Sequence, residues 1–159
     1  VNQYMMTGKS EKAVENLDKL VNSDPSNVQY KVVKASVLAI QMKEFDQAKA
    51  TLEPLFADGS ASKDASILFE MGRVWALDGM NQLEKAQDIE DDKAYNKAVA
   101  EAKKCFSKAL EYYEPARGIM AQDDPNRETL LQSVREMYVR LGKTGSDAYK
   151  AINEEINSL

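Results

Sequence analysis

Apolar positions along this chain recur every three or four residues, not every second one, from one end to the other. Ala13, Leu17 and Leu20 are spaced by four and three, and Ala48, Leu52 and Leu55 repeat that spacing 35 residues later. On a helix of 3.6 residues per turn such positions form one stripe, so each stretch is expected to be an amphipathic helix with one buried face. The small alanine at the head of each stripe lets a neighbouring helix approach closely. A second pattern runs Leu68, Met71, Gly72, Trp75, Gly79, and again Leu131, Val134, Tyr138, Gly142. Its spacings of three, four and four follow one helical face, and the closing glycine is expected to stop the helix. Helix, tight turn, helix is therefore the expected unit, repeated along the chain.

These residues resemble the tetratricopeptide repeat, whose pattern places a large apolar residue, Leu-Gly and an aromatic before a turn glycine, then Ala, Phe or Leu, Ala and Pro. The third unit matches through Leu68, Met71, Gly72, Trp75 and Gly79, with Ala102, Phe106 and Ala109 in its second helix. The first matches through Tyr4, Gly8, Ala13, Leu17, Leu20 and Pro25, with Gly8 at the turn between two helices. The resemblance implies an all-α fold, a right-handed superhelical stack of antiparallel helix hairpins forming one domain over 1–159. About four units are expected, near 1–26, 27–60, 61–124 and 125–159. That register puts Val1 inside the first helix, so one or two turns are expected to be missing upstream.

Between Gly79 and Ala102 lie 22 residues, Met80 to Glu101, where the family has four. This stretch lacks Gly and Pro, so both helices of the third hairpin are expected to grow longer, turning at Asp91-Asp92. Pro115 is expected to kink or end the second of them near Tyr112 to Glu114. Asp123-Asp124-Pro125-Asn126 is a break, with Asp124 or Asn126 as a helix cap, and Ser60 or Ser62 is expected to cap an earlier helix. Ala148, Ile152 and Ile156 form the last stripe, about one residue out of register. A long third hairpin followed by a last one resembles certain bacterial envelope repeat proteins, which favours periplasm or envelope over cytoplasm.

With 43% apolar and 30% charged residues, the 159-residue chain has the balance of a folded domain large enough for a real core. A net charge of −5 argues against nucleic acid, which needs clustered Lys and Arg. Lys103 and Lys104, flanked by Glu101 and Glu111, read as a solvated helix face. Cys105 is the only cysteine, expected to be half-buried filler, so no internal disulfide forms. No apolar run is long enough for a membrane-spanning helix. No leader opens the chain at Val1, which suggests a mature or trimmed fragment.

Candidate chemistry is sparse. There is no histidine, so the commonest general base and metal ligand are missing, and no catalytic, cofactor or metal residue is assigned. Gly8-Lys9-Ser10 imitates the end of a phosphate-binding loop but has Gln3 where that loop needs glycine. Ser60-Ala61-Ser62-Lys63 matches a Ser-x-x-Lys motif without its companions. Paired carboxylates at Asp91-Asp92 and Glu154-Glu155 point in different directions on a helix. Asp88 to Asp92 lacks the alternation and glycine of a calcium loop.

What the resemblance does imply is a protein or peptide partner held on the concave face lined by the first helices. Carried onto this chain, the contact positions are Tyr30, Val33, Val37, Ile40 and Gln41 in the second unit and Phe69, Arg73, Ala76 and Leu77 in the third. Gln132, Glu136, Val139 and Arg140 follow in the last, and Asn2, Met5 and Met6 in the first. Val33 and Val37 stand where relatives that grip a terminal carboxylate carry Lys and Asn, so an apolar helix or extended segment is the expected guest. Met5, Met6, Val33 and Phe69 have an equal claim to be plain core. The alternative use of the whole chain is self-association or a structural part within a larger repeat protein.

Overall fold

The computed structural model describes residues 2–159, with side chains from Gly8 onward. Seven α-helices follow one another, and no strand occurs among the described residues: α1 Asn2–Ser23, α2 Val28–Ile40, α3 Phe45–Leu52, α4 Ala65–Ala86, α5 Asp92–Ile119, α6 Arg127–Arg140 and α7 Asp147–Asn157. Short 3-10 turns at Glu53–Phe56 and Ala61–Lys63 join α3 to α4. Pro54 shortens α3, since it sits inside the first of these turns and cannot continue an α-helical ladder.

Neighbours in sequence pack against each other, and cross-links show which run antiparallel. Ser10 Oγ donates to Gln41 Oε1 (2.7 Å) while Asp18 pairs with Lys34 (2.5 Å), so α1 and α2 run in opposite directions. Gly72 lies against Tyr113 and Gly79 against Phe106, which makes α4 and α5 antiparallel over a long shared length. α6 returns along α5, and α7 along α6. α2 and α4 also touch, as do α4 and α6.

The core divides into two clusters. Ala35, Leu38, Ala39, Phe45, Ala48, Leu52, Met71 and Val74 fill the space among α2, α3 and α4. Phe106, Ala109, Tyr113, Leu130, Leu131, Val134 and Ile152 anchor the other, among α4 to α7. Trp75, Phe56 and Tyr112 pack against both. Lys49, buried beside Trp75, places its ammonium 3.7 Å from the indole ring and 2.5 Å from Asp78.

Several local expectations hold. The long pair turns where foreseen, and Asp91 caps α5 by accepting from Ala94 N (2.7 Å). Gly142, at φ 70°, closes α6 while Gly142 N bonds Val139 O and Lys143 N bonds Tyr138 O, the paired bonds of a glycine-terminated helix. Ala48 and Ala102 are fully buried, whereas Ala13 is only partly covered.

Others need correction. α1 runs unbroken through Gly8, because one helical glycine costs only about 1 kcal/mol and does not by itself end a helix. Thirty-five residues on, at the position matching Gly8, Lys43 adopts φ 56° in the turn between α2 and α3. Gly79 does not stop α4; it lies mid-helix, where a Cβ would sit 2.6 Å from the Phe106 ring. α5 passes Pro115 and continues to Ile119. The bond lost there would run to Glu111, and both residues face water, while Tyr113 and Ala116 hold the opposite side in the core. Asp64 caps α4 through Ser66 N and Ile67 N, and Ser60 instead donates to Asp58 (2.6 Å). Asn126 stands at the α6 cap without a side-chain bond; Asp124 accepts from Asn126 N (2.8 Å) and closes a turn. Cys105 is buried rather than half-buried.

Candidate partner-binding face

α2, α4 and α6 lie side by side and leave two hollows on either side of α4. α2 and α4 each start at a defined point, since Asn27 accepts from Gln29 N and Asp64 from Ser66 N, which sets the phase of the side chains that follow. The first hollow, about 260 Å³, lies between α2 and α4 and is lined by Val32, Val33, Ser36, Val37, Ile40 and Gln41 with Glu70 and Arg73. Val33 and Ile40 stand 47% and 51% exposed, a large apolar exposure for one helix face. The second hollow, about 390 Å³, runs between α4 and α6. Ala76, Leu77, Met80 and Met137 make it apolar, Gln132, Ser133 and Glu136 edge it, and Tyr113 of α5 lines it as well.

Arg73 belongs to both hollows. Its Nη2 donates to Ser36 Oγ (2.8 Å) and ion-pairs with Glu70 one turn earlier, so α2 and α4 are tied at this point. Glu70 is 6% exposed; burial pushes its carboxyl above the usual glutamate range, and Arg73 pulls it part of the way back. Among the described residues Glu70 Oε1 and Arg73 Nε have no hydrogen-bond partner. Tyr113 reaches the second hollow because Gly72 has no side chain: a Cβ there would sit 2.4 Å from the Tyr113 ring. Burial raises the Tyr113 hydroxyl pKa well above the ordinary tyrosine value.

Of the positions named from sequence, Val33, Val37, Ile40, Gln41 and Arg73 line the first hollow, and Arg73, Ala76, Leu77, Gln132 and Glu136 the second. Gln41 is also engaged with Ser10 of α1. Tyr30 lines neither. Phe69 is half-buried with its ring 5.7 Å from that of Tyr113, a packing position. Arg140 also lies off the hollows: it pairs with Glu136 (2.7 Å) and sits 5.6 Å from the Phe106 ring centroid. Val139 is 44% exposed without lining either. The side chains of Asn2, Met5 and Met6 lie outside the described residues.

Ser36, Glu70, Met80 and Tyr113 were missed. Glu70 had a signal, three residues before Arg73 on the same helix. Tyr113 had none, since it comes from the partner helix of the pair and depends on the close approach at Gly72. Elsewhere, a hollow of about 380 Å³ among α1, α2 and α3 is edged by Lys31, Lys34, Gln47 and Thr51, with Lys34 already held by Asp18. A wider depression along α5 is formed by that helix alone, with Lys104 paired to Glu101 and Lys108 to Glu111. Among the described residues no group of His, Cys, Asp and Glu is arranged to hold a metal, and no helix is long and apolar enough to cross a membrane.

No family model, no curated protein and no solved structure matches this chain.

Proposed function

We propose that the chain is a binding scaffold of the tetratricopeptide kind that holds a segment of another protein across α2, α4 and α6. In this reading the seven helices form a right-handed stack of repeated hairpins, and the first helices of its units supply the concave side. The observation that carries the reading is the pair of adjoining hollows, apolar on their walls and joined at one arginine, along three neighbouring helices. Exposed valine and isoleucine beside a fixed charge suit a guest with apolar anchors and at least one polar group.

The test is selection of a displayed library of 16-residue peptides against the folded chain. Selected peptides are expected to lose at least tenfold in affinity for Val37→Glu and for Leu77→Glu, each of which puts a charge on a hollow wall. Lys97→Glu, on the solvent side of α5, is expected to bind them as wild type does. Peptides indifferent to the two wall variants, or none selected at all, would overturn the reading.

A further inference from the structure

We infer that Glu70 gates the charge of Arg73: on taking up a proton in mild acid it leaves Arg73 an unmatched cation where the two hollows meet, and the face then holds an anionic group that it binds poorly at neutral pH. This adds a regulation to the scaffold reading and rests on that reading for the hollows being a binding surface.

The two members of the pair are unequally placed. Glu70 and Arg73 stand one turn apart on α4, and both line the hollow against α2. Arg73 also lines the hollow against α6, and its side chain is 36% exposed where that of Glu70 is 8% exposed. The carboxylate is thus the charge cut off from water. Only its Oε2 is bonded, to Arg73, while Oε1 is buried with no hydrogen-bond partner among the described residues. A carboxylate held on one oxygen and by nothing on the other gains from neutralisation. The guanidinium does not titrate, so it keeps its charge and its place between the hollows when its partner loses the negative one.

Few groups meet this pair. Among the described residues α2 brings Ser36 to it and lines the hollow without a charged side chain. α5 brings Tyr113, whose hydroxyl burial keeps protonated throughout. Across the second hollow, Glu136 of α6 is paired with Arg140. Burial raises the Glu70 carboxyl above its ordinary 4.5 against the pull of Arg73, so at pH 4.5 more than half of it is neutral. An adjacent opposite charge changes a carboxyl's proton affinity by roughly ten- to a thousandfold. An anion competing for Arg73 removes part of that effect, and by reciprocity protonation of Glu70 raises the affinity for the anion equally, by about tenfold.

Two probes test this on the intact chain by fluorescence titration. One is 1-anilinonaphthalene-8-sulfonate, ionised throughout, and the other is N-phenyl-1-naphthylamine, the same rings without the sulfonate. At about pH 7, Glu70→Gln is expected to bind the sulfonate about tenfold tighter than wild type does, and at about pH 4.5 within about twofold of it. Comparing variants at one pH cancels the positive charge that the rest of the chain gains in acid. Adding Arg73→Gln to Glu70→Gln is expected to abolish the gain, and the neutral probe is expected to show none. Should Glu70→Gln lose the helical circular dichroism of wild type, the Glu70 carboxyl is followed in wild type by 13C NMR, where saturating sulfonate probe is expected to raise its midpoint by about one pH unit. A sulfonate affinity unchanged by Glu70→Gln at neutral pH, a gain shared by the neutral probe, or a midpoint that the sulfonate does not move overturns this inference and leaves the scaffold reading standing. Selected peptides that bind Val37→Glu and Leu77→Glu unchanged overturn both.

Discussion

At the scale of single residues, glycine has three different roles. Gly72 and Gly79 are contact points, since a methyl group at either would press into the buried Tyr113 or Phe106 ring. Gly72→Ala and Gly79→Ala are expected to destabilise by about 1–3 kcal/mol in urea unfolding, the usual cost of overpacking. Gly8, with nothing within 4 Å of an added Cβ, should behave oppositely: Gly8→Ala is expected to stabilise by about 0.5–1 kcal/mol through helix propensity alone. Gly142, at positive φ, is a stop. Glu70 has a pH signature. Its folded carboxyl is raised above the ordinary 4.5, so the folded state holds that proton more tightly, and its contribution to stability falls as pH climbs from 4.5 through the raised value. The stability advantage of Glu70→Gln over wild type, measured by urea unfolding from about pH 4 to about pH 7, is expected to grow with pH. A difference that stays constant would refute the assignment.

At the scale of elements, the last helix is held by charge as well as by its apolar stripe. Ile152 is fully buried and Ile156 half-buried, so the stripe read from sequence faces the core. Beside it, Arg127 on α6 is buried with Nη1 on Met120 O (2.7 Å) and Nη2 on Glu155 of α7. Glu155 also takes Arg117 of α5 (2.7 Å), which joins Glu114, and Tyr138 donates to Glu114 (2.7 Å). Burial and Glu114 push the Tyr138 hydroxyl up to about 12. Glu155→Ala leaves Arg127 buried without its carboxylate, and a loss of about 2–3 kcal/mol is expected, below the range for fully buried pairs because Glu155 keeps some water. Hydrogen exchange should then quicken in α7 before it does in α4; uniform quickening would show that α7 has no separate attachment.

At the scale of the molecule, the two core clusters are coupled through Trp75, the only tryptophan. Because it packs against both, its fluorescence is expected to report the same urea transition as far-UV circular dichroism. Trp75→Ala should cost about 3–5 kcal/mol, as for other large aromatic truncations. Two separate transitions would mean that α1 to α3 and α5 to α7 unfold independently.

The amino-acid order determined what is local and periodic. The helical character, the stripes through Ala48, Leu52 and Ile152, the turn at Asp91 and the stop at Gly142 follow from 3.6-residue spacing and capping chemistry, which act within a few residues. Val37, Arg73 and Leu77 were named through the resemblance to the tetratricopeptide repeat, not from spacing alone, and they line the two hollows beside α4. Tertiary packing decided everything that depends on what lies opposite. It kept Pro115 helical because the lost bond faces water, and turned Gly79 from a stop into a contact. It sent Arg140 to Phe106 and brought Tyr113 under Gly72 into a hollow. Periodicity tells which side of a helix is apolar; only the neighbouring helix, placed by residues far away in sequence, settles whether that side ends as core or as open surface.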